Sequence, residues 1–401
     1  MNRFRNLFLI CLLTHAGVSI HASQIKQALP DETATIQRAI DSCANAGGGT
    51  VTIKPGVHMI KPIYLKSKIT LYLTEGATLM ATDNPDDFMV DGRYVALING
   101  KSLTDVTIAG KGIIDGNGAG WWKRFLDSNR KIPRPRMIVL NNVKNLTMED
   151  VTLKNSPTFL FVPTDCENVT IKNVYVTAPD SAPNTDGIDP SRCKNITITN
   201  CKFDVGDDCI AVKSNKTEKG TGFECENLEI RDCIFYHGHG LSIGSETSGG
   251  VNNMRVDNCK FYGTENGIRI KSSNERGGKI ENISYSNITM ENVGKPILFD
   301  FTYVDKNSIY RDGPKAAAIN IPSLSGITIK NLVATGASKA GIMLGTPESI
   351  LKDIILENVT ISAKTGMQIE NAKGLKFENV KVNVQKGEVY ILKNAEGTGL
   401  N

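Results

Sequence analysis

A short pattern recurs down this chain with a period that constrains the fold more than any other feature. Asn145-Leu-Thr-Met-Glu-Asp-Val-Thr-Leu is followed by Asn168-Val-Thr-Ile-Lys-Asn-Val-Tyr-Val, Asn195-Ile-Thr-Ile-Thr-Asn-Cys-Lys-Phe and Asn227-Leu-Glu-Ile-Arg-Asp-Cys-Ile-Phe. Further copies start at Asn253, Asn282, Gly326, Asp353 and Gly374, most of them about 21 to 32 residues from the previous start. Within each copy the apolar residues alternate, as a strand with one buried face requires. No single copy could bury that face alone, so the turns must stack on one another around a continuous core. The expected fold is therefore all-β: a single-stranded, right-handed parallel β-helix, in one domain over residues 23–401. Scarce aromatics, at 6%, and 37 glycines suit short strands separated by turns.

An open end of such a solenoid exposes strand edges and bare core. Residues 31–46 carry Ile36, Ala39, Ile40 and Cys43 at helical spacing before Gly47-Gly48-Gly49, which predicts a short amphipathic helix capping the N-terminal end. The register also places Cys166, Cys193 and Cys225 in one column and Cys201, Cys233 and Cys259 in another. Buried thiol ladders are expected there rather than disulfides, with a bridge at Cys209 left open. Of seven Asn-X-Ser/Thr triplets, four sit at a repeat turn and follow from a turn asparagine leading into a β-branched strand, so no weight is put on glycosylation; a bacterial source is expected.

Residues 1–22 read as a secretory signal: basic Arg3 and Arg5, an apolar stretch from Leu7 to Leu13, and Ala22 before a cleavage point. A secreted or periplasmic protein is expected, with no membrane attachment once the signal is removed. The full chain carries a net charge of +4, and the two signal arginines account for half of it. So small a charge gives no ground for a nucleic-acid partner. Locally, Lys123, Arg124, Arg130, Lys131, Arg134 and Arg136 crowd beside Trp121-Trp122, either as a solvated loop or as a contact surface for a polyanion.

Four segments place polar residues where a plain solenoid needs none: Asn184-Thr185-Asp186, Gly206-Asp207-Asp208, Gly238-His239-Gly240 and Arg269-Ile270-Lys271. Asp207 is twelve residues after Asn195 and His239 twelve after Asn227, while matching Ile210-Ala-Val with Leu241-Ser-Ile sets His239 beside Asp208. In either register the histidine lies about 4.8 Å from the aspartate pair along the stack. With Ile268 and Ile270 pointing inward, Arg269 and Lys271 point outward on the same face. Each segment alone is an ordinary turn. Together they converge three acids, a histidine and two cations on one surface, and no cluster has zinc-site spacing.

These segments, with Asn184-Thr185-Asp186-Gly187-Ile188-Asp189 and Gly238-His239-Gly240-Leu241-Ser242-Ile243-Gly244-Ser245 in order, resemble the signature motifs of glycoside hydrolase family 28, the polygalacturonases. The resemblance runs from about Ala34 through at least Tyr303, and Pro296 to Tyr303 is similar, more loosely, to the family segment that supplies an active-site tyrosine. It implies that Asp207 is the general acid, that Asp186 and Asp208 hold and activate water, and that His239 tunes an aspartate's proton. Asn184, Arg269, Lys271 and Tyr303 are then substrate-binding residues, the two cations clamping a galacturonate carboxylate. Inversion needs an acid and a carboxylate roughly 6.5 to 9.5 Å apart, with water between. Crowded acids are expected to raise the acid's pKa, since an unperturbed aspartate near 3.9 is only about one-tenth protonated at about pH 5. The implied protein is a monomer acting on pectic polysaccharide without metal or cofactor. Rhamnogalacturonan or xylogalacturonan hydrolysis, calcium-dependent pectate lysis and a non-catalytic glycan-binding solenoid remain as alternatives, and endo or exo action is open.

Overall fold

The computed structural model describes residues 29–215, 223–274, 276–303 and 321–400. The expected signal at residues 1–22 lies outside the described residues. The chain winds into a parallel β-helix whose strands pair coil to coil on three faces. The first face includes Glu167–Lys172, Lys194–Thr199, Cys225–Arg231 and Val251–Asp257, each parallel to the next. The second includes Tyr175–Thr177, Lys202–Asp204, Ile234–Phe235 and Lys260–Tyr262. The third runs through Phe161–Thr164, a bridge at Ile188, then Ile210–Val212, Leu241–Ile243, Asn266–Lys271 and Lys295–Asp300.

The asparagines that open the repeats sit at a corner, and their backbone explains the choice. Asn145, Asn168, Asn195, Asn227, Asn253 and Asn282 all have φ between 56° and 59°, a left-handed conformation that asparagine tolerates better than other side-chain-bearing residues. Gly326, Asp353 and Gly374 take the same conformation in later coils. Each amide also bonds along the stack: Asn195 Nδ2 donates to Asn168 Oδ1 at 3.1 Å, Asn227 to Asn195 at 3.0 Å and Asn253 to Asn227 at 2.7 Å. The corner thus carries its own hydrogen-bonded ladder.

Inward positions form equally continuous columns. Phe203, Phe235 and Phe261 stack with ring centroids 5.1 and 4.4 Å apart. The two cysteine columns are buried and every cysteine among the described residues is a free thiol, including Cys209, whose Sγ donates to the His237 carbonyl at 3.0 Å. The bridge left open at Cys209 is therefore not formed.

Helix α1, Thr33–Asn45, covers the N-terminal end with Ile36 and Ile40 buried against the first coils, as the periodicity predicts. Ala39 differs: it lies on the solvent side, because Ile36 and Ile40 already fill the narrow contact stripe. Helix α2, Ala119–Asp127, buries Trp121 and Phe125 rather than displaying them. Its basic neighbourhood is correspondingly less exposed than the charge count suggests. Arg134 is 3% exposed, lies 3.6 Å over the Phe125 ring, and donates to the carbonyls of Pro157 and Pro183. It is a strut between coils, whereas Lys123, Arg130 and Lys131 of the same segment are exposed.

Candidate active site

The turns that carry the second face into the third hold three of the four polar segments, and the strand Asn266–Lys271 brings the fourth beside them. In the first, Asn184 takes φ 56° and its Oδ1 accepts from Arg134 Nη2 at 2.7 Å. Thr185 Oγ1 donates to the Ala182 carbonyl at 2.9 Å and accepts from the Gly206 amide at 3.0 Å, fastening this turn to the next coil. Asp186 is thereby held inside the surface, 4% exposed, and its Oδ1 has no hydrogen-bond partner among the described residues.

Asp207 and Asp208 occupy the turn just before Ile210–Val212 and point to different surroundings. Asp207 Oδ1 accepts the Asp208 amide at 2.8 Å and lies 3.0 Å from His239 Nδ1. Asp208 is nearly inaccessible, and its two oxygens are fully engaged. Oδ1 accepts from Ser242 Oγ at 2.7 Å and Arg269 Nη1 at 2.9 Å, while Oδ2 accepts from Lys271 Nζ at 2.6 Å. Leu241 lies opposite Ile210, which puts His239 in register with Asp208, yet the imidazole turns to Asp207. That approach depends on glycine: a Cβ at Gly238, where φ is 96°, would lie 2.3 Å from the Asp207 carbonyl oxygen. With that space kept, the His239 amide donates to the same carbonyl at 2.8 Å.

Ile268 and Ile270 are fully buried, and Arg269 and Lys271 emerge on the opposite side of their strand toward Asp208. The Tyr303 ring lies over both cations, 5.8 Å from Arg269 Cζ and 5.4 Å from Lys271 Nζ. Asp186, Asp207, Asp208, His239, Arg269, Lys271 and Tyr303 therefore reach one site, while the Asn184 side chain turns to Arg134. A cavity of about 380 Å³ opens beside it, lined by Asp180, Gly206, Gly238, His239, Gly263 and Glu265.

The electrostatics separate the three acids. Burial raises the Asp186 carboxyl well above the usual range, with Asp207 and Asp189 adding repulsion and Lys213 opposing them. At Asp208 burial acts the same way, but Lys271 and Arg269 overcome it and hold the group strongly ionised. Asp207 also feels burial, yet the hydrogen bond from His239 prevails and lowers it. His239 is raised in turn: burial opposes its charge, and its bond to Asp207 outweighs that cost. The upward shift expected at the acid is thus found on Asp186 instead, because Asp207 has a cationic partner within hydrogen-bond reach.

Sequence reasoning missed four residues here. Ser242 lies inside a quoted motif but reads as a strand residue. Lys213 closes Ile210–Val212 and lies within 4 Å of Asp186, Asp189 and Glu246. Glu265 Oε2 stands 3.3 Å from His239 Nε2, which leaves that ring between two carboxylates. Only the stacking of coils, not spacing along the chain, brings Lys213, Glu246 and Glu265 in.

Comparison with known proteins gives the arrangement a context. The chain is 35% identical over 366 residues to an endo-polygalacturonase of Pectobacterium carotovorum subsp. carotovorum, spanning 84% of this chain and 86% of that one. Its structure is similar to a polygalacturonase of Erwinia carotovora ssp. carotovora, with a TM-score of 0.71, 32% identity and coverage of 92% and 94%. It is also similar to a hyperthermoactive exopolygalacturonase of Thermotoga maritima, with a TM-score of 0.76, 27% identity and 88% of each chain covered. Residues 43–391 match the family described as glycosyl hydrolases family 28, which extends beyond Tyr303. With its parallel β-helix and the acids gathered on one face of it, this glycoside hydrolase belongs to glycosyl hydrolase family 28.

Proposed function

We propose that this enzyme is an exported, monomeric polygalacturonase that hydrolyses α-1,4 links between galacturonate residues of pectin with inversion and without a metal. The observation that carries the reading is the unequal treatment of two adjacent acids: Asp208 is clasped by Arg269 and Lys271, while Asp207 is bound to His239 and retains an accessible carboxyl. Asp207 is the general acid. Its proton goes to the leaving glycosidic oxygen as the C–O bond breaks. Water, held between Asp186 and Asp208, attacks the anomeric carbon from the opposite side and gives its proton to the Asp186 carboxylate, whose Oδ1 is unpartnered.

In the free site the shared proton rests on the imidazole side of the Asp207–His239 pair. A neutral pair holds the same proton on Asp207, and a saccharide that displaces water disfavours the charge-separated form. The 3.0 Å contact then delivers the acid in its required state without a proton from solvent. Lysine offers three donors and arginine five, so Arg269 and Lys271 keep donors for a substrate carboxylate after binding Asp208. This supports an anionic uronide over a neutral sugar. The names of the three polygalacturonases above support the same substrate class. Asn184 and Tyr303 flank the place where that sugar would bind.

The test is incubation with de-esterified polygalacturonate and a chelator, following reducing ends, ultraviolet absorbance of unsaturated products and anomeric configuration. Saturated, inverted products are expected, and Asp207→Asn should lower kcat by about 10³-fold. Unsaturated products lost on chelation would indicate elimination, and binding without cleavage would overturn the enzymatic assignment of the site.

A further inference from the structure

A second charged cluster on the third face is centred on Lys213, which lies outside the four motifs but reaches the acids of the first. Lys213 Nζ stands 3.4 Å from Asp189 Oδ2, 3.6 Å from Glu246 Oε2 and 3.8 Å from Asp186 Oδ2. The Phe159 ring, its centroid 5.0 Å away, covers the ammonium. Asp189 is fully buried, and neither of its carboxylate oxygens has a hydrogen-bond partner among the described residues. Three carboxylates thus share one lysine. Arg136 and Asp208 also face Asp189, Asp207 and Asp208 face Asp186, and Arg276 and Lys271 face Glu246.

Lys213 is the cation within 4 Å of all three, and the two buried acids, Asp186 and Asp189, cannot both stay ionised on one shared ammonium without leaving charge desolvated. The directions agree with that count. Lys213 pulls Glu246 down to about 2 against burial, while burial takes Asp189 up to about 7. Burial alone would push Lys213 downward, but Glu246, Asp189 and Asp186 together hold it well above the usual lysine range. The ammonium is therefore a fixed charge at any pH where the enzyme could act. Its contact with Asp186 is what favours a carboxylate there.

We propose that Lys213 is a positioning residue for the hydrolysis: it keeps Asp186 available as the carboxylate that accepts the proton of the attacking water, and it does so without touching the saccharide. The inference rests on the polygalacturonase reading for the role of Asp186, but not for the electrostatic link itself. An ionised Asp186 is the active form, so activity rises with pH through its titration. Removing the cation raises that titration and moves the acidic limb upward.

The experiment compares Lys213→Met and Lys213→Arg with the wild type in kcat–pH profiles on polygalacturonate, with the Asp186 carboxyl followed by ¹³C NMR. In Lys213→Met the acidic limb and the Asp186 midpoint should both rise by at least about one unit, lowering kcat below the limb about tenfold. KM should change by less than about twofold, and Lys213→Arg should restore the limb. An increased KM with an unmoved limb would make Lys213 a saccharide contact, and a pH-independent loss would make it structural; either overturns the proposal. Should Lys213→Met fail to fold, Glu246→Gln decides, since it frees Lys213 for Asp186 and should lower the limb; an unmoved limb refutes the link. Wild-type inactivity on polygalacturonate would count against the substrate reading alone, because the NMR midpoint reports on Lys213 independently.

Discussion

Asp208 and Asp186 are buried on neighbouring coils of the same face, yet they meet opposite charge ratios. Asp208 is hydrogen-bonded by two cations and a serine hydroxyl. Asp186 shares one lysine with Asp189 and Glu246. Burial drives both carboxyls upward, but only at Asp208 do Lys271 and Arg269 reverse the shift. The lesson is that cations per acid, rather than depth, separate the protonation states on this surface. A hydrolase needs unlike acids, and here a single scaffold supplies them by stacking different side chains on successive coils.

The sharpest way to break the contrast is to lower the cation count at Asp208. Lys271→Met leaves a buried carboxylate with one cation and should reduce kcat/KM on polygalacturonate by about 10²-fold or more. It should also destabilise the fold by about 3–5 kcal/mol, as measured by denaturant unfolding. A variant with unchanged stability and affinity would show that Lys271 is an ordinary surface cation. Ser242→Ala leaves both cations in place and removes one neutral donor, so kcat should fall only about tenfold with a smaller loss of stability. A loss as large as that of Lys271→Met would shift weight from charge to hydrogen bonding.

The smallest effect on turnover is expected where the comparison does not reach. Asn227 belongs to the corner ladder, bonded to Asn195 and Asn253 far from the acids. Asn227→Ala should cost about 1–2 kcal/mol of stability through its left-handed backbone and lost amide bonds. Its kcat should stay at the wild-type value, and a changed pH profile would mean that the solenoid body and the site are coupled.

The parts of this molecule that repeat along the chain were legible in the sequence. Turn asparagines, alternating apolar residues and cysteine columns each obey the coil period, so Asn195 and Cys201 could be placed without coordinates. The capping helix was legible because Ile36 and Ile40 mark a buried stripe, though that stripe proved too narrow to include Ala39. The motif residues were legible because they interrupt the repeat. Lys213, Glu246 and Glu265 were not, since each follows or precedes a strand as an unremarkable polar residue and gains meaning only from the coil above or below. Arg134 misled for the same reason: a cation in a basic run is solvated by default, and only the fold places it against Phe125 and the Pro157 carbonyl.

The most direct test of unequal protonation is a pH titration of protein labelled with ¹³C at the aspartate carboxyls, with Asp208→Asn and Asp186→Asn used to assign the two resonances. The Asp208 signal should stay that of a carboxylate down to about pH 3 while Asp186 titrates above the ordinary aspartate value near 3.9. Two signals titrating together near that ordinary value would contradict it.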